Sequence, residues 1–137
     1  MITELWLLWA SIILGFVHII LQAHTMTRAR GIEWNASARD EPKPPLTGLA
    51  GRLERALRNF LETFVFFAAA VLMASAANIH NNFTILGAWL YFAGRLAYLP
   101  LYAFGVPYVR SLGWCVATAG IVVILVSVLI AGLARAA

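Results

Sequence analysis

The sequence predicts an all-α integral membrane protein, a bundle of four transmembrane helices that forms one domain over residues 1–137. Hydrophobic residues make up 62% of the chain and charged residues only 12%, whereas a soluble domain is nearer half apolar and a quarter charged. Four apolar segments are each long enough to cross a hydrocarbon layer about 30 Å thick as a helix. Most of the basic residues cluster in one loop and the helix that follows it, which is typical of a cytoplasmic membrane edge.

The first helix is predicted over about residues 2–22. Its apolar run is too long for a signal peptide and is preceded by Glu4 instead of basic residues, so we expect it to be retained. His18 and Gln22 lie four residues apart and share a helical face. Hydrogen bonds between helices explain this pair more simply than a ligand role, although both interpretations stay open.

A polar loop is predicted over about residues 24–51, because both charge signs are mixed there with prolines and glycines. The loop and the start of the second helix hold Arg28, Arg30, Arg39, Lys43, Arg52, Arg55 and Arg58. The positive-inside bias places this loop in the cytoplasm and the N-terminus outside. Four spans then return the C-terminus to the outer side.

The second helix, predicted over about residues 53–77, carries charge where a membrane helix should be apolar. Arg55, Asn59 and Glu62 recur at helical spacing on one face, and Arg58 lies on its flank. Ionisable groups near the membrane boundary are costly and usually contact protein partners or a polar ligand. This face therefore predicts half of a binding site for a small molecule with several charges.

The third helix, predicted over about residues 85–104, adds a second polar face. Arg95, Tyr98 and Tyr102 lie within a narrow arc, which favours a role in lining the pocket. Tyr91 is interpreted as an ordinary aromatic residue of the membrane interface.

The last helix is predicted over about residues 108–134. A short connection delivers Arg110 and Ser111 to its start. Cys115, the single cysteine, allows no disulfide within one chain and is interpreted as a small core residue.

These residues together resemble the signature of the MAPEG family, the membrane-associated proteins in eicosanoid and glutathione metabolism. Arg55-Ala56, Asn59 and Glu62 resemble the core of that signature, and the third helix matches the family's spacing of arginine and aromatic ligands. Arg110 and Ser111 follow where the family has its catalytic arginine. The segments RDEPKPPLTGLAGR and YLPLYAFGVPYVRSLGW are most similar to the small bacterial branch.

The resemblance implies a homotrimer in a bacterial inner membrane, with glutathione as co-substrate bound between adjacent subunits at a site facing the cytoplasm. It implies a glutathione transferase or glutathione-dependent peroxidase acting on a lipophilic small-molecule substrate from the lipid bilayer, without metal or nucleic acid. Arg110 and Ser111 are the implied catalytic residues. The implied glutathione ligands are Arg55, Arg58, Asn59, Glu62, Arg95, Tyr98 and Tyr102.

Two other functions are compatible with the same charges. In a membrane scaffold without catalytic activity, Arg55, Arg58 and Glu62 would form an ion network between helices. In a small transporter, buried charge would line a pathway across the membrane. The transporter is less favoured because the charges gather at one membrane edge.

Overall fold

The computed structural model describes residues 1–136 and places them in four long helices and one short helix, with no strand among those residues. The helices are α1 (Thr3–Arg30), α2 (Ile32–Ala36), α3 (Gly48–Ala76), α4 (Asn82–Ala103) and α5 (Val109–Ala136). The prediction of an all-helical chain is confirmed.

α1 and α3 are longer than predicted, because both continue beyond their apolar segments. α1 passes Gln22 and ends at Arg30, where Gly31 has a φ of 89°, a positive value that favours glycine. Arg28 and Arg30 occupy its last turn, where positive charge interacts favourably with the helix dipole. α3 begins at Gly48 instead of near Leu53. Apolar composition therefore marks the membrane-compatible part of each helix and not its full length.

The long helices alternate in direction, so two ends of the molecule can be defined. At the arginine end, which holds Arg52, Arg55 and Arg110, the Nε of Arg52 donates to the Ala103 carbonyl at 2.9 Å and joins the start of α3 to the end of α4. At the Glu4 end, which holds Glu4 and His80, the Nδ1 of His80 lies 2.9 Å from Glu4 Oε1. Residues far apart in the chain thus meet at each end.

The α4 and α5 helices approach each other closely, backbone to backbone, through pairs of glycines. A Cβ added to Gly87 would lie 2.6 Å from the Gly120 carbonyl oxygen, and one added to Gly94 would lie 2.7 Å from that of Gly113. Small residues of this kind allow helix backbones to approach closely in membrane proteins. These two glycine pairs hold α4, which carries Tyr98 and Tyr102, against α5, which carries Arg110.

A hydrophobic cluster separates the two ends of the molecule. It includes Leu7, Phe67, Tyr91, Ile121 and Ile124, which come from all four long helices. The interpretation of Tyr91 as an interface residue is wrong, because its ring is fully buried and stacks on Phe67 with centroids 3.9 Å apart. At Tyr91, the face of α4 that was predicted to line a pocket is therefore packed in the core.

Three helices, α1, α3 and α5, are long and apolar enough to cross a membrane. The 22-residue α4 helix does not meet the same composition, since it contains Arg95 and several tyrosines. Large apolar side chains such as Phe16, Phe66 and Ile130 are exposed on the isolated chain. An apolar surface of this extent is typical of contact with lipid or with another subunit.

Candidate functional site

A cleft of about 410 Å³ opens at the arginine end between α3, α4 and α5. Its lining consists of Asn59, Tyr98, Tyr102, Arg110, Ser111, Trp114 and Cys115. The first five of these residues were predicted as site residues from the sequence. Trp114 and Cys115 were not, although they follow Ser111 by about one helical turn and share its side of α5.

Tyr102 connects the cations of two different helices. Its hydroxyl accepts a hydrogen bond from the Nε of Arg55 at 3.3 Å, and the guanidinium carbon of Arg110 lies 4.6 Å from the centre of its ring. An arginine over a tyrosine face is attracted by the ring electrons. Tyr102, which lines the cleft, therefore contacts one guanidinium from α3 and one from α5, and the α5 guanidinium, Arg110, is itself part of the lining.

Tyr98 contributes a polar group that has no partner within residues 1–136. The residue is only 4% exposed, and its ring packs beside Tyr102 with centroids 5.3 Å apart. Its hydroxyl makes no hydrogen bond to another described residue, although the side chain lines the cleft. The ring is buried but the hydroxyl itself is open to the cleft, so water or a polar ligand there can bond to it.

Arg95 lies behind the cleft and positions Asn59. The guanidinium is fully buried and donates from Nη1 to Asn59 Oδ1 at 2.8 Å and from Nη2 to the hydroxyl of Thr63. No carboxylate within the described residues lies close enough to form an ion pair with it. Its immediate role is therefore to fix the orientation of the Asn59 amide, which does line the cleft.

The remaining predicted ligands, Arg58 and Glu62, lie outside this cleft. Both are exposed on α3, as is Arg55, and none of the three forms an ion pair in residues 1–136. Arg58 and Glu62 are four residues apart and could have paired along the helix, but they do not. One chain thus leaves a charged face of α3 unpartnered beside the cleft.

His18 differs from its predicted role. It is only 1% exposed, and neither ring nitrogen has a hydrogen-bond partner. Its ring stacks on Phe60 with centroids 4.8 Å apart, while the Gln22 amide contacts the sulfur of Met26 in the same helix at 3.7 Å. The prediction that His18 and Gln22 form hydrogen bonds between helices is wrong, because the register of α1 sets His18 against the aromatic ring of Phe60.

Sequence reasoning also missed the polar cluster at the Glu4 end. Glu4 is 1% exposed and its Oε1 accepts from the hydroxyl of Thr84 at 2.5 Å, as well as contacting His80. Asn81 caps α4 and donates to the hydroxyl of Ser127 at 2.9 Å. The sequence does contain a signal for the start of α4, because Asn81 lies three residues before Thr84, a spacing that is typical of a helix start.

A larger cavity of about 940 Å³ lies between the end of α1 and the following loop. Three of its charged residues, Arg30, Glu41 and Lys43, are engaged with one another or with the chain. Lys43 lies 3.2 Å from Glu41, and Arg30 donates to the Pro44 carbonyl at 3.2 Å and stacks over Trp34. The smaller cleft is the better candidate site, because it brings together five residues that the sequence predicted as site residues.

Comparison with known proteins agrees with the sequence pattern. The model of the MAPEG family matches residues 7–130. The chain belongs to the MAPEG family. This MAPEG protein has no significant match among the curated proteins or among the solved structures. The family includes glutathione transferases and peroxidases, and the match covers every residue of the cleft.

Proposed function

We propose that this protein binds glutathione and uses it as a transferase or peroxidase co-substrate against a lipophilic electrophile. The observation that carries the proposal is the meeting of Arg55 and Arg110 on Tyr102, at the wall of a cleft where neither guanidinium has an acidic partner among residues 1–136. Guanidiniums without a partner are suited to bind the carboxylates of a ligand.

The chemistry of glutathione fits the residues around this cleft. The tripeptide carries two carboxylates, an ammonium group and a thiol. Arg55 and Arg58 would bind the carboxylates, Glu62 the ammonium group, and Asn59 and the tyrosines the peptide groups. Arg95 would act by holding Asn59.

Arg110 is proposed to stabilise the thiolate of bound glutathione, with the Ser111 hydroxyl as a second donor. Lowering a thiol pKa from about 8.5 by one to two pH units requires about 1.4 to 2.7 kcal/mol of preferential interaction with the thiolate. One guanidinium in a partly dehydrated cleft can supply that energy. The thiolate would then attack the electrophile or reduce the peroxide.

The exposed face of α3 supports assembly as a homotrimer of four-span subunits. Arg58 and Glu62 lie beside the cleft but not in its lining, so a neighbouring subunit packed on this face would enclose them with the ligand. We place the arginine end in the cytoplasm and both termini outside, because the basic loop belongs to that end. In this arrangement α4 spans the membrane among the other helices, and Asn59 and Thr63 of α3 accept hydrogen bonds from Arg95.

Calorimetric titration of glutathione into the purified protein in detergent tests the proposal. Wild type should bind, and Arg55→Ala should bind about tenfold more weakly or worse, since a hydrogen bond to a charged group contributes about 1.5 kcal/mol or more. Arg135→Ala is the matched control, because this arginine lies at the Glu4 end and donates to the carbonyls of Ala77 and Asn78. Absence of heat from wild type at millimolar glutathione would overturn the proposal.

A scaffold is the second candidate, because the unpaired Arg58 and Glu62 would also suit an ion pair between subunits. A transporter receives less support, since the hydrophobic cluster around Phe67 and Tyr91 separates the polar groups of the two ends.

A further inference from the structure

Cys115 lies on the wall of the cleft and not in the core. The residue is exposed and lines the same space as Arg110 and Ser111. The sequence interpretation was wrong because the core face of α5 is the one that carries Ala117, Ile121 and Ile124. Cys115 lies four residues after Ser111 and hence on the same side of the helix, one turn further from the rim.

The groups around this thiol indicate a polar ligand. The Tyr98 side chain, which is 4% exposed, lines the cleft and its hydroxyl has no hydrogen-bond partner among the described residues, and the Arg110 guanidinium lies over the ring of Tyr102. The cleft therefore combines a free nucleophilic sulfur with donors that would hold an anionic peptide next to it.

We propose that Cys115 is a site of reversible modification, at which the cleft forms a mixed disulfide with a thiol peptide. This inference rests on the proposed function, since it takes the ligand to be glutathione. The Cys115 thiolate attacks one sulfur of glutathione disulfide, a protein–glutathione S–S bond forms, and the original S–S bond breaks. One glutathione leaves as thiolate and takes up the proton that Cys115 lost, while the disulfide is the oxidant and Cys115 is oxidised.

The modification would have a direct effect on the cleft. The attached peptide would occupy the space that the free co-substrate needs, so the modified protein would be inactive until a thiol reduced the bond. A high ratio of glutathione disulfide to glutathione would therefore switch the site off, and a return to reducing conditions would restore it.

The experiment compares the rates at which two disulfides modify the whole protein in detergent, measured by intact mass. The chain contains a single cysteine, so any disulfide adduct reports on Cys115, and Cys115→Ser should form none. We expect glutathione disulfide to react at least about tenfold faster than the uncharged hydroxyethyl disulfide, after correction for their reactivity with a free thiol. S-methylglutathione should slow only the first reaction.

Two variants show whether the cleft directs the reaction. Arg110→Ala should lose the preference for glutathione disulfide, and Arg135→Ala should keep it. Equal rates for both disulfides, or no adduct with either, would overturn the inference. Titration of wild type with reduced glutathione separates the two proposals. If reduced glutathione binds but both disulfides react at equal rates, only the proposed function is supported. If glutathione disulfide reacts selectively but reduced glutathione shows no measurable binding, only the role of Cys115 is supported.

Discussion

The two ends of the molecule both contain charged residues, but they use them differently. At the Glu4 end, one carboxylate oxygen contacts His80 and Thr84, and Asn81 bonds to Ser127, while the second carboxylate oxygen of Glu4 is buried without a partner among the described residues. At the arginine end, the Arg110 and Tyr98 polar groups have no hydrogen-bond partner within residues 1–136. The difference is access: Arg110 and Tyr98 line a cleft that a ligand can enter, whereas the Glu4 carboxylate is enclosed by the chain.

The difference teaches how to tell a structural polar cluster from a binding site in a membrane protein. Each end brings together residues from distant parts of the chain, so proximity alone does not separate them. The Glu4 cluster joins α1 to the α3–α4 turn, and removing it should affect folding. The arginine cluster leaves hydrogen-bonding capacity unused, and removing it should affect ligand binding.

The largest expected effect is that of Arg110→Ala on the bound thiol. Loss of one donor that stabilises developing negative charge typically costs about 100-fold in turnover. We expect the ultraviolet absorbance of bound glutathione thiolate to disappear and the rate with a chloronitroaromatic electrophile to fall by about that factor. Arg110→Lys keeps the charge and should retain part of the signal. Full thiolate absorbance in Arg110→Ala would show that another group stabilises the sulfur.

Glu4→Ala should act on stability instead of binding. It removes the acceptor for Thr84 and the partner of His80, and two such hydrogen bonds together contribute about 1 to 3 kcal/mol. The melting temperature in detergent should therefore fall, while glutathione affinity stays unchanged. Glu33→Ala removes an exposed carboxylate from α2 and is the matched control, expected to melt like wild type. Weaker glutathione binding by Glu4→Ala would contradict the assignment of the Glu4 end to stability and of the arginine end to ligand binding.

The smallest expected effect is that of Glu62→Gln, which removes one exposed negative charge from α3. Glutathione affinity should fall roughly fivefold, about 1 kcal/mol, as for a partly solvated ion pair. The mass of the oligomer, measured by light scattering, should not change. Glu54→Gln on the same helix controls for the loss of a negative charge. Loss of oligomer with unchanged affinity would instead favour the scaffold.

The helices and most of the cleft could be predicted because each depends on local patterns. Apolar length predicts helices, and the spacing of Arg95, Tyr98 and Tyr102 predicts a shared face. The orientation of a whole face could not be predicted in the same way. Tyr91 shares that arc but lies deep enough to stack on Phe67, and Cys115 occurs in an apolar run yet faces the cleft.

Glu4 illustrates a second limit of the sequence. Its partners, His80 and Thr84, are distant in the chain, and only the alternating direction of the helices brings them together. Nothing in the pattern around Glu4 indicates which loop it meets. The extension of α1 to Arg30 is a third case, because hydropathy does not report where backbone hydrogen bonding stops.

The glycine contacts between α4 and α5 have a mechanical consequence for the cleft. Because backbone meets backbone at Gly94 and Gly113, α4 and α5 form a closely packed helical hairpin, with small side chains such as that of Ala117 in the contact. Tyr102 and Arg110 are carried on that hairpin, whereas Arg55 approaches from α3 through a single long side chain. Widening or narrowing of the cleft entrance would therefore come from movement of α3, while the α4–α5 hairpin stays in place.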